Sequence, residues 1–323
     1  MSHGYTANTA PPVLKQLLPM IVFAGLLMVF AADIGAQGTS VDTYIEIGNS
    51  FADQGKLEQA ITQYDKAIDA DPKNIPAHLQ RGIAYARMGN YERAIKDFNT
   101  TIELDPRLAA AYYSRALLHE RTGDSRKAIQ DYTRTIEVDP DYYQAYYNRG
   151  ILHYANEETE KAINDFVDAI NLKPDYAKSF YNLGLAYRQK GADEMALDSY
   201  SSAIELNPRF IEAYFNRGRV NYDLDNLDEA VADYLKVIEL DPNFINAYYS
   251  LGATYEWLKR HDDAIAQYER YIQMASPADS ERVAFLKQQI QDIKDKKEKS
   301  KWRTEHPLFT DPDSEKTLNP ELK

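Results

Sequence analysis

The sequence predicts an all-α solenoid: seven helix-turn-helix hairpins of 34 residues, stacked in a row and closed by a C-terminal capping helix. Three observations predict it. Prolines recur at Pro72, Pro106, Pro140, Pro174, Pro208 and Pro242, each 34 residues after the last. Alanines keep the same period, from Ala60 through Ala94, Ala128, Ala162, Ala196 and Ala230 to Ala264. An aromatic column (Tyr64, Phe98, Tyr132, Phe166, Tyr200, Tyr234, Tyr268) runs in step with a small-residue column (Gly48, Gly82, Ala116, Gly150, Gly184, Gly218, Gly252). A fixed period of this size marks stacked helical units rather than one globular core. Small residues let two helices approach, aromatics fill the space beside them, and proline stops one hairpin before the next begins.

At the N-terminus, residues 17–32 are apolar throughout, a run of sixteen. As a helix the run would be ~24 Å long, between the core of a signal peptide and a comfortable membrane span. It has no polar face, so it is no repeat helix. Residues 1–36 therefore read either as a cleaved signal or as an uncleaved membrane anchor, and both readings export the repeats. Residues 37–40 form a short linker. Residues 41–275 hold the seven repeats. Within them Gly55, Gly89, Gly123 and Gly191 suit a left-handed turn between the two helices. Glu157, Asp225 and Lys259 stand at that place in repeats four, six and seven, and must turn under strain or by another geometry. Residues 276–298 show apolar positions at Val283, Phe285, Leu286, Ile290 and Ile293, the stripe of a capping helix. Residues 299–323 are polar, with Pro307, Pro312 and Pro320, and read as a tail.

Charge narrows the function. The chain of 323 residues carries a net charge of -13. Both flanks are neutral, so the repeats hold all of the excess acid. Nucleic-acid binding needs clustered Lys and Arg and is excluded on that ground. A basic protein partner is the sharper reading of the acid, solubility the plainer one. There is no Cys, hence no disulfide, thiolate metal site or Cys nucleophile. No glycine-rich phosphate loop or metal-spaced His set is present. His119 and His153 are 34 residues apart, in a core column shared with Tyr85 and Tyr187, and are not expected to hold a metal. The sequence therefore predicts no catalysis, no cofactor and no metal.

A second regularity predicts ion pairs. Arg81, Arg115, Arg149 and Arg217 precede the small residue in four repeats. In the same four repeats Asp97, Asp131, Asp165 and Asp233 precede the second-helix aromatic. Repeats one, five and seven carry Ile47, Leu183 and Leu251 at the first place, and Gln63, Ser199 and Gln267 at the second. Charge stands on both sides or on neither. We expect each Arg–Asp pair to bridge the two helices of its hairpin in a structural role, since a half-buried Arg needs a partner.

These columns resemble the tetratricopeptide repeat family over residues 41–274. Ala116 in place of glycine and Asn221 in place of an aromatic or His are local departures. The resemblance implies a right-handed superhelix whose first helices line a concave groove. The groove residues it implies are Tyr113, Tyr147, Tyr181, Phe215 and Tyr249, an aromatic ladder, with Asn148, Asn182 and Asn216 beside them. Tyr154, Tyr222 and Trp257 are expected to face the same way. Tyrosine and asparagine offer rigid contact and hydrogen bonds to an extended backbone, but the same tyrosines also serve to pack neighbouring repeats. Some family members clamp a partner's C-terminal carboxylate with Lys, Asn and Arg from consecutive first helices. Here Asn49 is present, but Ile45, Ala110 and Ser114 stand at other clamp places, which disfavours a chaperone-tail adaptor.

The expected function is a non-catalytic protein-interaction scaffold, exported or membrane-anchored. It would bind a peptide segment or subunit within a larger envelope or extracellular assembly. The alternatives are a free exported adaptor and an accessory subunit of an enzyme complex. The tail, basic from Lys294 to Arg303, is a candidate for docking in a neighbouring copy's acidic groove.

Overall fold

A computed structural model describes residues 40–305, and the expected signal or anchor segment lies outside them. No helix among the described residues is long and apolar enough to cross a membrane. The protein is a right-handed α-solenoid built from paired helices. The pairs are α1 (Val41–Asp53) with α2 (Leu57–Ala70), α3 (Ile75–Arg87) with α4 (Tyr91–Leu104), and α5 (Ala109–Arg121) with α6 (Ser125–Val138). They continue with α7 (Tyr143–Ala155) and α8 (Thr159–Leu172), α9 (Ala177–Lys190) and α10 (Asp193–Leu206), and α11 (Ile211–Asp223) and α12 (Leu227–Leu240). The last pair is α13 (Ile245–Trp257) with α14 (His261–Met274), and α15 (Ser280–Glu305) ends the described chain.

Local chemistry sets the joints. The Asn74, Asn90 and Asp124 side chains accept the backbone N–H of Ala77, Arg93 and Lys127, capping helix starts. The turns inside hairpins are left-handed at Gly55, Gly89, Gly123 and Gly191 (φ 75–82°). Glu157, Asp225 and Lys259 adopt the same turn at φ 59–61°. The period of the stack, not the residue, imposes this geometry, and a side chain with a Cβ bears the strain.

The core follows the columns. All seven second-helix alanines are fully buried, and the seven aromatics of the core column are at most 3% exposed. A Cβ added at Gly150 would sit 2.8 Å from Phe166, and one at Gly184 would sit 2.6 Å from Tyr200. The approach of the ring thus favours glycine, although Ala116 is accommodated at the same place beside Tyr132.

Helix α15 covers the last repeat with Leu286, Ile290 and Ile293, packed against Tyr268 and Tyr271. Two expectations need correction. Phe285 does not join this stripe but is 55% exposed, because one step along a helix turns a side chain by about 100° away from Leu286. The helix also runs past residue 298 to Glu305, so the first part of the expected tail is helical. The composition of that stretch is polar, but it lacks proline until Pro307, so nothing stops the helix earlier.

Candidate functional site

The first helices form the inner layer of the solenoid. Helix α1 touches α3, α3 touches α5, α7 touches α9 and α11 touches α13, whereas consecutive second helices make no comparable contact. The inner wall is therefore a row of first helices, which is where the ladder lies.

The ladder is engaged in packing. Tyr113 packs tilted against Tyr142 at 4.8 Å, Tyr147 meets Tyr176 edge-on at 5.1 Å, and Tyr181 and Phe215 pack tilted against Phe210 at 4.8 Å and Phe244 at 4.9 Å. Each also meets the core aromatic of its own hairpin, and Tyr249 lies against Tyr268 and Tyr271. The asparagines tie one repeat to the next. Asn148, Asn182 and Asn216 each donate through Nδ2 to the hydroxyl of Tyr113, Tyr147 and Tyr181, at 3.0 Å in every case. Burial pushes the Tyr181 hydroxyl up to about 12 and the Tyr113 and Tyr147 hydroxyls higher still. These phenols stay protonated, and their rings are held in one orientation. The sequence pointed to Tyr and Asn as groove residues, and the structure joins them to one another across repeats.

The arginines reach further than expected. In all four repeats the guanidinium takes its Asp in a fork, with Nη2 at 2.7 Å and Nε at 2.8–3.0 Å. The remaining Nη1 crosses to the previous hairpin. It meets Asp65 and Asn99 at 2.6 Å, and Thr133 and Ser201 at 3.0 Å. One arginine thus fastens three helices. The four aspartates are only 3–6% exposed. Residues 65, 99, 133 and 201 were not singled out from sequence, though their column held the signal. Where Leu183 and Leu251 replace Arg, the matching places carry Val167 and Leu235.

Tyr154 and Tyr222 pack against the same hairpin cores, and Trp257 alone of the three is largely exposed. Tyr154 and Tyr222 are half-buried, and Trp257 is 61% exposed. Two carboxylates also lie on the wall. Glu120 accepts the Tyr132 hydroxyl at 2.8 Å, and Glu256 accepts that of Tyr268 at 3.1 Å. Burial raises the Glu120 carboxyl above the usual carboxylate range, and the Tyr132 hydrogen bond opposes that rise. His119 and His153 do not converge: each faces the aspartate of its own hairpin, Asp131 at 3.8 Å and Asp165 at 3.9 Å. No group of His, Asp and Glu suited to a metal occurs among the described residues.

Family profiles of the tetratricopeptide repeat match residues 48–89, 75–108, 113–177, 184–225, 218–257 and 245–277. The chain belongs to the tetratricopeptide repeat family, whose fold is that of a protein-interaction scaffold. Among solved structures it resembles YrrB, described as a TPR protein with an unusual peptide-binding site. That likeness is 26% identical, with a TM-score of 0.53, over 59% of this chain and 97% of YrrB. It also resembles the C-terminal part of a TPR repeat-containing protein from Cytophaga hutchinsonii, at 20% identity and TM-score 0.62, over 71% of this chain and 95% of the other. The MamA protein matches at 29% identity and TM-score 0.49, over 54% of this chain and 94% of MamA. No curated protein matches this chain.

Proposed function

We propose that the inner wall holds an extended segment of a partner protein, and that the chain works as a scaffold without chemistry of its own. One observation carries this reading: Trp257, the last residue of first helix α13, is 61% exposed, whereas the ladder aromatics are packed. An exposed Trp offers the kind of anchor that dominates binding energy at interfaces. The ladder then acts as a stiff support, and preorganisation lowers the cost of binding. The likeness to YrrB, with its peptide-binding site, supports the same class of ligand.

Peptide-display selection against the full chain tests the reading. Selected peptides should bind the wild type, lose at least about tenfold in affinity to Trp257→Ala, and ignore Leu235→Ala on a second helix. Peptides that bind Trp257→Ala as tightly as the wild type would remove it.

The apolar run at residues 17–32 supports an exported or membrane-anchored location, in an envelope or extracellular assembly. The intact mass of the natively expressed protein separates anchor from cleaved signal. An unchanged assembly size after deletion of residues 299–323 would remove the tail as a self-association segment. A free adaptor or an accessory subunit fits the same groove and differs only in what co-purifies.

A further inference from the structure

Helix α15 carries an exposed stripe that its capping role does not use. Phe285, Gln289, Asp292, Lys296 and Lys299 stand three or four residues apart and share one face. That face borders the inner wall. Arg282, one turn before Phe285, lies 5.4 Å from the centre of the Tyr249 ring, and Gln289, one turn after it, donates to Glu256 at 3.5 Å. Trp257 follows Glu256 at the end of α13. Trp257 and Phe285 are the two most exposed large apolar side chains among the described residues, at 61% and 55%. Lys294 and Lys297 pair with Glu269 and Asp262 of the last hairpin. Lys296 and Lys299 are exposed and make no ion pair among the described residues.

The sequence beyond Glu305 matches this stripe in order. Read backwards from its C-terminal end, the stripe runs Lys299, Lys296, Asp292, Phe285: two cations, an acid, an apolar ring. The tail reads Asp311, Asp313, Lys316, Leu318: two acids, a cation, an apolar side chain. The lengths agree as well. From Lys299 back to Phe285 the helix spans ~21 Å at ~1.5 Å per residue. From Asp311 to Leu318 an extended chain spans ~23 Å at ~3.3 Å per residue. Pro307 and Pro312 oppose a continued helix and favour an extended chain. The link from Glu305 to Asp311 reaches ~20 Å, ample to turn and return the ~9 Å from Glu305 to Lys299.

We infer that residues 311–318 return along α15 as an internal ligand, with Asp311 and Asp313 on Lys299 and Lys296, Lys316 on Asp292, and Leu318 against Phe285 beside Trp257. This rests on the groove reading and adds to it a control of access: the tail covers the far end of the inner wall until a partner displaces it. Exposed ion pairs are weak singly. The tether makes these pairs intramolecular, at an effective concentration of about millimolar, so weak pairs suffice. A partner that brings an anchor to Trp257 competes with Leu318. Docking of the basic run in a neighbouring copy competes too, because it uses the same lysines. The contact is ionic over most of its length and weakens with salt.

The chain has no Cys, so a nitroxide on Thr317→Cys marks the tail at one place. On the full chain in mild detergent, labelled with nitrogen-15, it should broaden the amide signals of Phe285, Asp292 and Lys296 and spare those of α5. Lys296→Glu with Lys299→Glu should abolish the broadening, and adding Asp311→Lys and Asp313→Lys should restore it. Unchanged thermal unfolding of the double variant is the folding control. A mixture of nitroxide chains without nitrogen-15 and nitrogen-15 chains without nitroxide should show no broadening. Absent broadening, broadening that survives the charge reversal, or broadening in the mixture overturns the internal contact, the last in favour of contact between copies. Truncation after Glu305 should tighten display-selected peptides about tenfold, and unchanged affinity overturns the control of access. If the tail contact fails while those peptides still need Trp257, the groove stands without it; if the peptides ignore Trp257 while the tail contact holds, the groove reading alone falls.

Discussion

A buried carboxyl in this protein takes its character from its burial and from the neighbour it meets. Glu120 is the clearest case. Its carboxyl is raised by burial, and Tyr132 donates to it at 2.8 Å. A group raised in the folded state holds its proton longer there than in the unfolded chain, so ionisation favours unfolding. Glu120→Gln keeps an acceptor for Tyr132 and removes the charge. We predict equal stability of variant and wild type below about pH 4. The variant should gain an advantage as pH rises through the ordinary carboxylate value and level off above the raised folded value. Paired thermal melts at acid and neutral pH measure this, and a variant less stable than wild type at pH 7 refutes it.

At the scale of the element, one arginine couples three helices. Arg149 binds Asp165 in its own hairpin and Thr133 in the one before. Asp165 is 4% exposed, so Arg149→Leu alone leaves a buried charge unpaired. That should cost about 3–5 kcal/mol. The combination Arg149→Leu, Asp165→Ser and Thr133→Val copies the set Leu183, Ser199 and Val167 that repeat five already uses. It should recover to within about 1 kcal/mol of wild type, because an apolar replacement of a whole buried pair is close to neutral. Denaturant melts of the single and triple variants read the difference. A triple variant no better than the single would separate the three columns. The Arg–Asp half of this was legible in sequence because charge appears on both sides or on neither. The third arm was less so. Its column mixes Asp, Asn, Thr and Ser, four residues with one shared property, a short oxygen acceptor.

At the scale of the molecule, stability is close to a sum over repeats and their seams. Helix α15 seals one end with Leu286, Ile290 and Ile293. Truncation after residue 279 should therefore cost at least about 3 kcal/mol, from burial of ~1.5–3 kcal/mol per large side chain. The loss should be local. Hydrogen exchange should rise first in α13 and α14 and leave α5 to α8 protected. Uniform loss of protection along the stack would mean one cooperative unit instead. The sequence signalled this cap through its apolar stripe but misplaced Phe285, because periodicity gives a face to within a turn and not the edge of the partner helix. The side of α15 that is covered depends on where α13 and α14 end.

The sequence by itself determined the hairpin, its period, its dry seam and the family. Each of these repeats seven times, and a signal copied seven times survives any single exception, such as Glu157 at φ 61° in a turn that elsewhere holds glycine. Only the tertiary structure decided what the wall residues do. The Asn148 amide and the Tyr113 hydroxyl are 35 residues apart and meet because one repeat is stacked on the next. The Asn182 amide meets the Tyr147 hydroxyl in the same way, one repeat further along. Stacking brings together residues that no column contains at once, so their meeting is written in the superhelix and not in the period.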